Sequence, residues 1–341
     1  MANRPALDGA LAAVSLGDIA DAAKEFEQMG FDGVSSFETS SDPFMPLLLA
    51  GQATELHLST AIAVAFARNP MVCAGAAWDL HRDSGGRFTL GLGTQIKPHI
   101  TKRYSEQWSQ PAARMAEYVA AVRAIWHTFE TGDKLDFRGD FYTHTLMTPM
   151  FNPGPSGMAP PEIYVAGVGP HMMRAIGAAA DGFFVHPFHS VEHLQSATLA
   201  SLSEGAESAG RGAGEVGISV INIVSMAATE EELTHGRKQA AAQLAFYGST
   251  PAYAGVLDHH GYDGLQPQLN AMSKQGQWRE MRDLIDDDLI DLLTVSGTPS
   301  ECGAELARRN EFATRCLPMF YGGTQSPEAF AEMASAFQAA V

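Results

Sequence analysis

Several places in the chain put polar or glycine residues where chemistry could be done. Gly167-Val168-Gly169-Pro170 follows the apolar run 163–166, which ends at Ala166, and opens a helical stretch. Small residues let a ligand approach backbone N–H groups, and a helix N-terminus attracts anions, so this is a candidate phosphate site. The same residues also make an ordinary strand-to-helix turn, and Gly-x-Gly alone does not choose between the two. Glu38 closes the run 33–38 at a strand's C-terminal end, where α/β barrels place catalytic groups. A carboxylate there is a candidate general acid or base, with a solvated loop residue as the plain alternative.

Thr94, Gln95, Lys97 and His99 follow the run 88–92 in the same way. Their types suit loop solvation as well as catalysis, and their place at a strand end favours the second. His186 ends another short run, and Ser190 starts the helix after it. Both read as groups lining a cofactor or substrate pocket, against a capped helix with exposed histidines. His186, His189 and His193, like His259-His260, have no acidic partner at a diagnostic spacing, so no metal site is expected. Cys73, Cys302 and Cys316 show neither redox nor metal spacing, and an odd count makes a poor disulfide framework.

The elements that must position these residues follow from periodicity and punctuation. Strand signals fall at 6–14, 33–38, 58–66, 88–92, 163–166, 182–186, 216–226 and 314–321, with helical stretches between them. Helix starts are marked by Asp42-Pro43, Asn69-Pro70, Thr298-Pro299 with Glu301, Ser326-Pro327, and Thr229 with Glu232. After Pro111, the residues Met115, Tyr118, Val119, Val122, Ile125, Trp126 and Phe129 share one helix face, which core packing explains. Ser84-Gly85-Gly86 stops the helix that begins at Pro70. Residues 132–160 insert a hairpin around Phe137 to Tyr142 and a Pro/Gly-rich tract, which suits a lid or a surface loop. Residues 250–296 add short helices, and Asp286-Asp287-Asp288 reads as a solvated helix face. About eight alternations of strand and helix mean parallel strands joined by helical crossovers. An open doubly wound sheet fits the periodicity too; the even spacing favours a (β/α)8 TIM barrel, written as one domain over 1–341.

Composition narrows the classes of function. The chain has 341 residues, 45% hydrophobic, enough for a large core. Lys plus Arg is 22 and Asp plus Glu is 39, so the formal charge is 22 − 39 = −17. That argues against nonspecific nucleic-acid or anionic-membrane binding, while leaving room for a locally held anionic cofactor. Neither a signal-peptide core nor a membrane-length apolar run is present in the sequence, so a cytoplasmic protein is expected. A homo-oligomer is compatible with exposed barrel helices.

Ser84-Gly85-Gly86-Arg87-Phe88 followed by Leu90-Gly91-Leu92-Gly93 resembles the hallmark of the bacterial luciferase-like superfamily, which uses flavin or coenzyme F420. Gly30-Phe31-Asp32-Gly33-Val34 and the segment from Glu162 to Pro170 extend the resemblance from about residue 7 to about residue 320, most nearly to the F420-dependent branch. The resemblance implies a closed barrel, a cofactor phosphate at Gly167–Pro170, and a bulge, often with a cis peptide, at Ala61-Ile62 against the cofactor ring. Thr94, Gln95 and His99, by their place after the strand 88–92, are expected at the ring's edge. Two departures stand out. Many F420-using relatives have Asp-His where this chain has Glu38-Thr39, and some have a glutamate where it has Ile96. The expected function is therefore hydride transfer between the C5 carbon of F420 and a small organic substrate, with Glu38 and His99 as catalytic candidates. The alternatives are an FMN-dependent luciferase-like monooxygenase and a non-catalytic deazaflavin-binding barrel. Lys97, Lys102 and Arg103 form the nearest cationic cluster for an anionic cofactor tail.

Overall fold

The computed structural model describes residues 4–12 and 14–340. Its strands, in chain order, are β1 (Ala6–Ala10), β2 (Gly33–Ser36), β3 (His57–Thr60), β4 (Ala63–Val64), β5 (Phe88–Gly93), β6 (Phe137–Arg138), β7 (Thr143–His144), β8 (Glu162–Ala166), β9 (Gly182–Val185), β10 (Gly217–Met226), β11 (Thr294–Gly297) and β12 (Arg315–Phe320). Eight parallel strands close a ring in the order β1-β2-β3-β5-β8-β9-β10-β12, and β12 returns to β1 in the register Ala6↔Arg315. This is the (β/α)8 barrel, with helices packed around it. β11 adds to the end of β10, and β6 and β7 form the separate hairpin.

Barrel closure joins the two ends of the chain through a buried ion pair. Arg315 Nε donates to Asp8 Oδ2 at 2.7 Å, and Asp8 is only 1% exposed. Burial pushes the Asp8 carboxyl up, and the Arg315 guanidinium opposes that shift. Inside the barrel, Tyr164 packs edge-on to Phe184. Its side chain fits because β9 and β10 carry Gly182 and Gly217, where a Cβ would lie 2.3 Å from the ring and 2.0 Å from the hydroxyl. The seven apolar residues of the long helix Pro111–Thr131 are all buried, and the Trp126 indole donates to the Ala74 carbonyl at 3.0 Å.

The structure changes several expectations. The first strand ends at Ala10 rather than 14, and Ala13 lies outside the described residues. The continuous strand expected over 58–66 breaks into β3 and β4, with a cis peptide at Ala61-Ile62 between them. Asp42 caps its helix from one residue further out, accepting from Phe44 N at 2.9 Å, so Pro43 rather than Asp42 stands at the boundary. The acidic run is exposed as expected for a solvated face, and two of its residues also make bonds. Asp286 caps the helix Asp287–Leu293 and accepts from Tyr262, while Asp287 pairs with Arg237.

The insertion 132–160 is pinned to the barrel's flank. Glu117 accepts from the backbone N–H groups of Asp140, Phe141 and Tyr142, and Trp78 Nε1 donates to the Gly154 carbonyl. His81 and Arg82 bind the carbonyls of Ala159 and Pro153. These bonds hold it on the barrel's flank, and Tyr142 accepts from Arg114 Nε at 2.8 Å near the start of the helix Pro111–Thr131.

Two glycines in one neighbourhood should respond oppositely to alanine. A Cβ on Gly91 would lie 1.7 Å from the Thr60 carbonyl oxygen, whereas one on Gly75 would meet nothing within 4 Å. Gly91→Ala should lose at least about 3 kcal/mol or fail to fold. Gly75→Ala, inside the helix Pro70–Asp83, should gain roughly 0.5–1 kcal/mol. Urea denaturation of both variants reads the contrast directly.

Candidate functional site

The site is built where β3 and β4 meet β5. Thr60 Oγ1 donates to the Gly91 carbonyl at 2.7 Å and accepts from Gly91 N at 2.9 Å. That pair of hydrogen bonds between neighbouring strands fixes the point at which the chain turns out through Ala61-Ile62. The Ile62 side chain then leans over Gly93, whose missing Cβ would lie 2.7 Å from Ile62 Cδ1. Gly91 and Gly93 are thus small because the bulge comes so close. Ile62 forms the floor of a cavity of about 550 Å³ at the C-terminal end of the barrel. Its walls include Trp108, Ala112, Met172 and Tyr253, and they are mostly apolar.

Thr94, Gln95 and Lys97 lie on this cavity, as does Ala166. Gln95 takes a left-handed conformation at φ +59°, and Thr94 Oγ1 closes the turn on the Gln95 carbonyl. His99 is exposed on the following turn and does not line the cavity. Lys102 and Arg103 are also off its wall; Arg103 instead donates to the Thr39 carbonyl at 3.0 Å. The cationic cluster is therefore reduced to Lys97 at the rim.

Gly167, Val168, Gly169 and Pro170 form a shared wall between this cavity and a second of about 380 Å³. Gly167 is needed for packing, since a Cβ would lie 2.3 Å from Met172 Cγ. Gly169 is needed for conformation, at φ +83°. The helix Pro170–Ala179 starts here without a side-chain cap, and the N–H groups of His171 and Met172 have no acceptor among the described residues. Three other Pro-led helices are capped, by Asn69, Thr298 and Ser326, while the helix Pro111–Thr131 shares the uncapped start. Two free donors at a helix N-terminus suit a phosphate, and the space beside Gly169 is open.

Residues 251–256 cover the second cavity, and Tyr253 touches both. His186 also lines both, stacked on Tyr253 at 4.4 Å and edge-on to Tyr247 at 4.7 Å. Burial pushes the His186 imidazole down to about 3, helped by His189. Ser190, expected on the pocket wall, faces elsewhere. Its hydroxyl accepts from His193 N and meets His260 Nε2 at 2.7 Å, so it serves as a helix cap and a strut to the end of the helix Ala254–His259. Among the described residues, no group of three or more His, Cys, Asp or Glu is arranged to hold a metal ion. Sequence reading missed Trp108, Ala252 and Tyr253. They come from irregular stretches with no periodic signal, and only the fold brings them to the mouth.

Glu38 lines neither cavity. Its Oε2 accepts from Val64 N at 2.7 Å and pairs with Arg68, while Oε1 accepts from Tyr104 at 2.9 Å. The side chain is 7% exposed. Three donors from three segments hold this carboxylate, so it ties the bulge, the loop after it and the turn after β5 together. That geometry suits positioning better than proton exchange with a ligand.

The chain belongs to the luciferase-like monooxygenase family, whose profile matches residues 2–316. It is 45% identical over 326 residues to an uncharacterized protein of Mycobacterium tuberculosis, covering 95% of this chain and 96% of that one. It is 26% identical to the 5,10-methylenetetrahydromethanopterin reductase of Methanolobus tindarius over 84% of this chain and 85% of the other. In fold it matches the coenzyme F420 dependent tetrahydromethanopterin reductase of Methanopyrus kandleri, with a TM-score of 0.80, 18% identity and 99% of each chain covered. Among the described residues, no helix is long and apolar enough to cross a membrane.

Two predictions come from this geometry. Glu38→Gln should cost about 1–3 kcal/mol, because it removes the buried charge partner of Arg68 and leaves that guanidinium only the more exposed Asp42. Glu55→Gln, at a side chain 90% exposed, should cost less than about 0.5 kcal/mol. Equal melting temperatures for the two variants would remove the clamp. The second concerns pH. Burial lowers His57 and His186 to about 3 and His189 to about 4, from an ordinary 6.5. The unfolded chain takes up these protons below 6.5 and the folded chain does not, so stability is full above that pH and falls on acidification. Each ring contributes at most about 1.4 kcal/mol per pH unit, less where solvent reaches it. Denaturation between pH 7 and about 4 should show the decline; a flat profile would contradict it.

Proposed function

We propose that this protein is an oxidoreductase that uses coenzyme F420 on a small organic substrate. The observation that carries the reading is the uncapped helix start at Gly169-Pro170, set on the wall shared by two cavities at the barrel mouth. The N–H groups of His171 and Met172 would hold the cofactor phosphate, Ile62 with Ala61 beneath it would support the ring, and Thr94 with Gln95 would meet the ring's edge. F420 supplies hydride chemistry at its C5 carbon when bound. The chain's own contribution is to orient the ring against an apolar floor and to exclude water around it. What supports F420 over FMN is the stronger fold likeness to the F420 dependent M. kandleri reductase, TM-score 0.80, than to an FMN-bound Baeyer-Villiger monooxygenase of Pseudomonas putida, TM-score 0.64. Glu38 acts by positioning, through Val64, Arg68 and Tyr104, and His99 lies too far out on the rim to be the leading catalytic group.

Separate titrations of the purified protein with F420 and with FMN test the reading. F420 should bind more tightly, and Val168→Asp should weaken it at least about tenfold by placing a like charge beside the phosphate. The melting temperature of that variant should stay unchanged, because Val168 is 38% exposed. Tighter FMN binding would favour the monooxygenase reading, and binding of neither would remove the cofactor site. Turnover by the F420-loaded protein separates an enzyme from a deazaflavin carrier.

A further inference from the structure

His186 is the polar group that the two cavities share with the aromatic wall, and its chemistry is narrowly set. Its Nδ1 accepts a hydrogen bond from Phe188 N at 3.1 Å. A nitrogen that accepts carries no proton, so the neutral ring has its proton on Nε2. That Nε2 has no hydrogen-bond partner among the described residues, although the ring lines both cavities. Tyr253 stacks on one face and Tyr247 meets it edge-on, so the ring's orientation is fixed by packing. Behind them the Tyr247 and Tyr321 hydroxyls lie 3.5 Å apart.

The surroundings offer little to hold a charged ligand group at this point. Ile62, Trp108, Ala112 and Met172 are apolar, burial favours the neutral form of His189 and His193 in the smaller cavity, Lys97 and His171 are exposed at the rim, and the free N–H groups of His171 and Met172 are assigned to the cofactor phosphate. Protonating His186 would break the bond from Phe188 N and bury a cation, which its low pKa already opposes. An anion brought to Nε2 would lose its water without gaining a counter-charge. A neutral oxygen acceptor would gain the one hydrogen bond on offer.

We propose that His186 donates a hydrogen bond from Nε2 to an uncharged oxygen of the substrate, and that the substrate is therefore a neutral, largely apolar carbonyl compound or the matching alcohol. This rests on the F420 reading for the reaction, but not for the recognition. Glu38 is tied up away from the cavities, so His186 takes the place of an acid residue at the mouth as a hydrogen-bond donor to the reacting oxygen.

Calorimetry with a matched pair of probes tests it. 4-Phenyl-2-butanone and 3-phenylpropionate share one skeleton and differ in offering a ketone or a carboxylate. On the F420-loaded wild type, the ketone should bind at least about tenfold more tightly than the acid. His186→Phe should lose about tenfold in ketone affinity, with F420 affinity changed less than about twofold, and His186→Gln should recover part of the loss through its amide N–H. Equal binding of the acid, binding of neither probe, or unchanged ketone affinity in His186→Phe would overturn the proposal. So would a large loss of F420 affinity in that variant, which would place His186 on the cofactor instead. If wild-type protein does not bind F420, the cofactor reading fails by itself. The ketone and the acid are then compared on the free protein, where the same ranking decides the substrate class.

Discussion

The contact between Thr60 and Gly91 is the constraint on which the site depends. Two strands approach until the Thr60 carbonyl occupies the space of a side chain on Gly91, and the Thr60 hydroxyl bonds both polar atoms of that residue's backbone. Such an approach satisfies buried backbone groups that a bulge would otherwise strand. It also fixes where β3 stops, and so where Ile62 must stand. Gly93 continues the logic by leaving room for the Ile62 side chain. The apolar floor of the mouth is thus a by-product of strand pairing two residues deeper.

Around that floor, polar groups are divided between holding and recognising. Glu38 is a holding group: its three donors come from β4, from Arg68 and from Tyr104, all of which border the mouth. Ser190 holds in the same sense, bridging the turn after β9 to His260 at the end of the helix Ala254–His259. The groups left free for a ligand are the N–H donors of His171 and Met172 and the imidazole of His186. One set suits an anion, the other a neutral oxygen. Their placement on a shared wall allows a single extended ligand to reach the first while a smaller one reaches the second.

The barrel was legible because its signals are local. Asn69-Pro70, Thr298-Pro299 and Thr229 with Glu232 mark helix starts through bonds made within four residues, and the structure contains those caps. Ser84-Gly85-Gly86 closes a helix for equally local reasons, with both glycines at positive φ. The site was legible only in part. Glycine spacing pointed to the wall at 167–170, since backbone geometry there demands small residues. Glu38 misled because position at a strand end is visible in sequence while the partners that occupy its carboxylate, 26 to 66 residues away, are not. Tyr253 left no trace at all: it sits in a short irregular helix, and only the fold sets it against His186.

The claim on which most rests is that the cofactor phosphate is held at the helix start at Pro170, on the wall that both mouth cavities share. Amide hydrogen exchange with and without saturating F420 tests this most directly. Exchange at His171 and Met172 should slow when F420 binds, because their N–H groups gain an acceptor, and residues 251–256 should slow with them. Binding that leaves all of these amides unchanged would contradict the account, and would place the cofactor elsewhere on the barrel.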